Sequence, residues 1–185
     1  MPQQLRDSMP TTSAVGALKQ MTPAQFLRLH NTDVGAYLVR RGDSPGSLAL
    51  NRSIPTLAQV VAEYGEQVAL VWLDAQLDAI DRMTSLKSMG EQAIREVSRH
   101  IMAAYGNMNV GNLLQFFAQY KLGDYAKDVE HIAGAQKIMV ALARYAKVRD
   151  ADMNRVICNY EREQAWLRRL EWEKHAISYS DYKNE

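Results

Sequence analysis

From Thr56 onward, apolar residues recur at spacings of three and four, the period of an α-helix rather than a strand. Leu57, Val60, Val61 and Tyr64 form the first set, and Gly65 bends or breaks the chain after it. Val68, Val71, Trp72, Ala75, Ala79 and Met83 form one row of a second helix, with Leu73, Leu77 and Ile80 beside it. Apolar side chains over so wide an arc predict a helix central to the core. After an interruption at "TSLKSMG", Ala93, Ile94, Val97, Ile101, Met102 and Tyr105 mark the inner face of a helix over about 91–104.

The stretch "LLQFFAQYKL" predicts a further helix, with Asn109 or Asn112 as its N-cap. Gly123 follows where a left-handed C-cap belongs, and Lys121 sits in the last turn, at the negative end of the helix dipole. Both Phe116 and Phe117 are expected in the core. Another helix starts near Ile132, with Ile138, Met139, Ala141, Leu142 and Tyr145 as its buried stripe. "VRDADMNR" either interrupts that helix or continues it. From about Ala151 to Ile177 the pattern changes: Val156, Tyr160, Leu167, Leu170 and Ile177 fit an approximate seven-residue repeat within dense mixed charge. Glu163 and Lys174 fall on seam positions of that repeat. Such a helix docks along one side of the molecule or pairs with a second copy.

The first part of the chain is less patterned. Residues 1–21 are rich in Pro, Ser, Thr and Gln and are expected to form a flexible tail. Thr22 and Pro23 supply an N-cap and a first helical position, so residues 22–55 read as a short helix and a loop. The loop gathers the turn formers Gly42, Asp43, Ser44, Pro45 and Gly46. Its Arg41-Gly42-Asp43-Ser44 looks like the integrin-binding motif of matrix proteins, but without an export signal it reads as a tight turn. No alternating β-branched run appears. The fold class is therefore all-α: an irregular multi-helix bundle, with residues 56–185 as the helical domain and a long charged C-terminal helix.

Composition narrows the function classes. The 185 residues carry a net charge of +1, which argues against coating nucleic acid by bulk electrostatics but leaves room for a local basic patch. The single cysteine, Cys158, cannot form an internal disulfide. The longest apolar run, "VALVWL", is far shorter than a membrane span, and the first residues lack an apolar export core. The expected location is the cytoplasm, with no membrane partner.

Candidate chemistry is sparse. His30, His100, His131 and His175 form no metal-binding pattern, so no metal and no cofactor is expected. Asp74, Asp78 and Asp81 share a helix face, read as solvated rather than as a magnesium site. No nucleophile elbow, dinucleotide fingerprint or phosphate loop is present. "REVSRH" (Arg95 to His100) and "RLEWEKH" (Arg169 to His175) resemble the Arg-x(4–6)-His signature of helical HEPN ribonucleases. In that family the histidine moves a proton and the arginine steadies a phosphate. Glu96 stands where it tends to carry Asn, Asp or His.

"SIPTLAQVVAEYGEQVALVWLDAQL", "LLQFFAQYKLGDY" and "ALARYAKVRDADMNR" together resemble a group of uncharacterised small helical proteins of Bacteroidetes genomes, phages and mobile elements. The matching residues are Ile54, Pro55, Thr56, Leu57, Trp72, Phe116, Phe117, Lys121, Gly123, Tyr125 and Arg149; Ala126 departs from a glycine in the pattern. The resemblance implies no catalytic residues. It implies an accessory role in phage or mobile-element DNA metabolism.

Three functions are carried forward: a non-enzymatic nucleic-acid-associated binding protein, a module that homodimerises through the C-terminal helix, and a HEPN-like metal-independent ribonuclease. For the first, Lys121, Arg144, Lys147, Arg149 and Arg155 are the candidate phosphate contacts, with Tyr120 and Tyr125 as adjacent stacking or partner contacts. The partner expected is nucleic acid or a protein.

Overall fold

A computed structural model describes residues 13–84, 89–130, 132 and 134–175. The chain is all-α. Its helices are α1 (Ala14–Lys19), α2 (Pro23–Leu29), α3 (Val34–Arg41), α4 (Pro45–Leu50), α5 (Leu57–Tyr64), α6 (Glu66–Thr84), α7 (Glu91–Tyr105), α8 (Val110–Leu122) and α9 (Gln136–His175).

The core is built around α8, with α6 central to it as its apolar pattern suggests. Every residue from Val110 to Ala118 is buried. Helices α3, α4, α6 and α9 all pack against α8. On α6 the buried stripe is Ala69, Trp72, Leu73, Leu77 and Ile80, while Val71 and Met83 are exposed. Packing against α5, α7 and α8 thus buries the Trp72–Ile80 side of the wide apolar arc of α6.

Two helix starts hold each other. Thr56 caps α5 in a reciprocal box with Gln59 (Gln59 N to Thr56 Oγ1 3.2 Å; Thr56 N to Gln59 Oε1 2.9 Å). Asn109 caps α8, its Oδ1 accepting from Asn112 N at 2.8 Å. The two caps lie side by side in an isolated bridge. There Leu57 N donates to Met108 O and Val110 N donates to Pro55 O. Each start thereby satisfies donors that the other's helix leaves open.

The N-terminal region is more structured than its composition suggests. The tail reading fails from Ser13 onward. Ser13 caps α1, Ala14 and Leu18 are buried, and Tyr64 Oη donates to Leu18 O at 2.6 Å and Met21 O at 3.0 Å. Six residues are too few to display a helical period, so tertiary contacts rather than pattern make this helix. The tail expectation for residues 1–12 lies outside the described residues. The "short helix and loop" of residues 22–55 is likewise three helices. Gly42 (φ 76°) ends α3 in the left-handed conformation, and Ser44 with Pro45 starts α4. The clustered turn formers are the end of one helix and the start of the next. Glycine is required where α4 crosses α9: a Cβ on Gly46 would lie 2.4 Å from Met153 N.

The chain through "VRDADMNR" continues without interruption, so α9 is one helix of 40 residues, about 60 Å long. Its first half packs on the body through Ile138, Ala141, Leu142 and Tyr145. Asp152 is its last buried residue among those described.

Candidate functional site

The residues singled out in the sequence fall into three separate environments. Tyr120 and Tyr125 stack on each other (centroids 6.4 Å, interplanar angle 21°) and both lie against Phe116. Tyr125 Oη also donates to Gln119 Oε1 at 2.9 Å. Their rings close the end of α8 and are only partly open to solvent. Lys121 reaches across to donate from Nζ to Thr32 O at 3.3 Å. Its ammonium is half-buried, and desolvation lowers its pKa against a smaller opposing pull from Asp33. The rim therefore ties α8 to the α2–α3 connection.

The second environment is the inner face of α9. Arg149 lies there, mostly covered, paired with Asp150 (Nη2 to Oδ1 2.6 Å) and lining a cavity of about 460 Å³. Asn109, Asn112, Thr56 and Arg52 also line that cavity. Beneath it runs a buried polar chain. Asn112 Nδ2 donates to Pro45 O (2.9 Å) and Tyr145 Oη (3.0 Å). Tyr145 Oη donates to Gln115 Oε1 (2.8 Å), and Gln115 Nε2 donates to Asp43 O (2.6 Å). Burial pushes the Tyr145 phenol pKa well up. Asn112 Oδ1 has no hydrogen-bond partner within the protein. Tyr145 was expected in the buried stripe, and it is; Gln115 and the inward role of Asn112 were not read, their one signal being amides placed inside an otherwise apolar helix.

The third environment is the outer face of α9. Arg144, Lys147 and Arg155 are exposed there, away from Arg149. At 100° per residue, Arg155, Arg162 and Arg169 recur every seven residues along nearly one line, about 10 Å apart. Arg155 is paired with Asp152, whose Oδ2 accepts from Ser44 Oγ and from Gly46 N (2.8 Å) and so caps α4. Arg169 Nε pairs with Glu173 at 3.1 Å.

Past Met153, which still meets α4, no described residue of α9 is buried. Met153, Val156, Tyr160, Leu167 and Leu170 carry on the row that holds Leu142 and Tyr145 against the body. Leu167 is 44% exposed, Trp166 beside it 59%, and Trp172 on the far side 81%. Leu167 is thus the exposed large apolar side chain on the seam face, with Trp166 about 100° and Trp172 about 140° around the helix from it.

The remaining candidates do not assemble. Arg95 and His100 point about 140° apart around α7, and His100 Nδ1 lies 2.7 Å from Glu96 O. The side chains of His131 and His175 lie outside the described residues. The aspartate row is the solvated face expected of it only at Asp78. Asp74 accepts from Ser98 Oγ at 2.5 Å, Asp78 pairs with Arg82, and buried Asp81 accepts from Met89 N at 3.1 Å. Asp74 and Asp81 fasten α7 and its connector to α6, while Asp78 pairs within α6 and stays about half exposed. Among the described residues no group of histidine, cysteine and carboxylate could hold a metal, and no helix is long and apolar enough to cross a membrane. No protein-family model, curated protein or solved structure matches this chain.

Proposed function

We propose that this chain is a non-enzymatic protein-interaction module that homodimerises through the projecting half of α9. One observation carries the reading: the row that docks α9 onto the body runs on for about 20 residues, broken only by Glu163 and Lys174, and none of its described residues past Met153 is buried. A seam of Val156, Tyr160, Leu167 and Leu170 with charged flanks suits a second helix of the same kind. Two such faces exclude water from each other at little ordering cost, because each helix is already formed as part of a folded body. Sedimentation equilibrium tests it. A concentration-dependent dimer is expected, and Leu167→Glu with Leu170→Glu should return it to monomer with unchanged helicity. A wild-type monomer at roughly 1 mM, where even a weak pair associates, would end the reading.

A second reading is favoured by the arginine line. Arg155, Arg162 and Arg169, with Arg144 and Lys147 behind them, form a basic stripe that a nucleic-acid backbone can follow, away from the seam. The resemblance to phage and mobile-element proteins supports a nucleic-acid accessory role in the cytoplasm. Binding to single- or double-stranded DNA at low salt is expected. Replacing the three arginines with Gln should reduce the salt slope by about 3. Absence of binding to either form at low ionic strength would sink it.

A further inference from the structure

We infer that the homodimer is antiparallel, with its two-fold axis level with Arg168 and Arg169. This rests on the homodimer reading and adds the orientation and register of the second copy. The argument begins with the two residues that spoil the seam. Tyr160, Leu167 and Lys174 occupy one seam position at seven-residue intervals, and Val156, Glu163 and Leu170 occupy the other. Glu163 and Lys174 are both exposed on α9. In a parallel, in-register pair each would face its own copy, Glu against Glu and Lys against Lys. Like charges directly opposed destabilise such a pair.

In an antiparallel pair the first seam position of one helix is level with the second position of the other. One register then resolves both defects together. Glu163 meets the partner's Lys174, Lys174 meets the partner's Glu163, and Leu167 and Leu170 meet the partner's Leu170 and Leu167 between them. The two ion pairs flank an apolar centre, and the interface is self-complementary, as a two-fold requires. Slipping either helix by one heptad separates the charges again.

The body supplies an independent reason. Helix α4 packs on α9 at Asp152 and Met153, where even a Cβ on Gly46 has no room, so the seam is already occupied up to that point. A parallel partner would bring a second body to the same end and the same side. An antiparallel partner places its body beyond the opposite end. Val156 lies about 19 Å from the proposed axis, so the two bodies sit on the order of 40 Å apart.

Charge exchange separates the possibilities. Glu163→Lys alone places Lys opposite the partner's Lys174, and Lys174→Glu alone places Glu opposite the partner's Glu163. Each single change should weaken dimerisation about tenfold or more, and the double exchange should restore it. Helicity by circular dichroism should be unchanged throughout, because both positions are exposed. A spin label on the native, exposed Cys158 gives a second readout. The antiparallel register sets the two labels about 30 Å apart along the axis, whereas a parallel pair sets them level. A dimer in which single exchanges have no effect, or are not rescued by the double exchange, overturns the register while the homodimer stands. Level labels do the same. A monomer at all concentrations overturns the homodimer itself.

Discussion

The two halves of α9 carry the same apolar row and meet opposite fates. In the first half Ile138, Ala141, Leu142 and Tyr145 are buried against the body. In the second half, Tyr160, Leu167 and Leu170 continue that row, and none of them is buried. The helix does not change at the boundary; its surroundings do. An apolar stripe states that a helix needs a neighbour, and says nothing about whether that neighbour belongs to the same chain. The residues around the stripe do differ. The second half adds dense mixed charge and three arginines in line on the side away from the seam.

Matched truncations test that contrast most strongly. Leu142→Ala removes a fully buried side chain and should cost about 3 kcal/mol in urea unfolding. Leu167→Ala should cost under about 0.5 kcal/mol at concentrations where the chain is monomeric, since its side chain is already in water. Equal costs would mean that the projecting half packs on something, and the contrast would fail. The boundary itself is the next target. Asp152 caps α4 through Ser44 Oγ and Gly46 N and pairs with Arg155. Asp152→Ala leaves the Gly46 N–H unpaired at a tight crossing and should cost about 2 kcal/mol. Hydrogen exchange should then rise in α4 and not in the far end of α9.

Much of this architecture was legible in the sequence, for physical reasons that differ by element. The starts of α2 and α8 were visible because Thr22 and the pair Asn109 and Asn112, of which Asn109 is the cap, are local signals acting within three residues, whereas the start of α5 was visible from its apolar period. The end of α8 was visible because Gly123 adopts φ 87°, a conformation that glycine takes without strain. The long helices were visible because period needs length. Helices α1 and α4 were not, since six residues hold less than two turns and depend on Tyr64 and Asp152 from elsewhere. The candidate site was less legible still. Lys121, Tyr120 and Tyr125 carry the residue types of a nucleic-acid surface, yet their contacts are with Thr32, Phe116 and Gln119. Arg149 and Arg155, six residues apart on one helix, face different sides. The basic character was readable; its partition between an inner and an outer face required the continuity of α9.

The smallest expected effect separates the halves by pH. Tyr145 sits in the embedded half, where its hydroxyl donates to Gln115 and accepts from Asn112. Desolvation raises its pKa, outweighing the hydrogen bond from Asn112. In the unfolded chain a tyrosine loses its proton near pH 10, whereas folded Tyr145 still holds it there. The folded state then binds more protons, so stability falls as pH rises above about 10 and is fully present below it. Tyr145→Phe should cost about 1 kcal/mol at neutral pH and make the alkaline fall shallower. Some slope remains, because burial also raises the pKa of Tyr64, Tyr105 and Tyr120. Leu167→Ala, in the projecting half, should leave the alkaline profile parallel to that of the wild type. Urea titrations at several pH values above and below 10 measure both. An unchanged slope in Tyr145→Phe would mean that the hydroxyl is open to water, and that the embedded half is less closed than its neighbours make it.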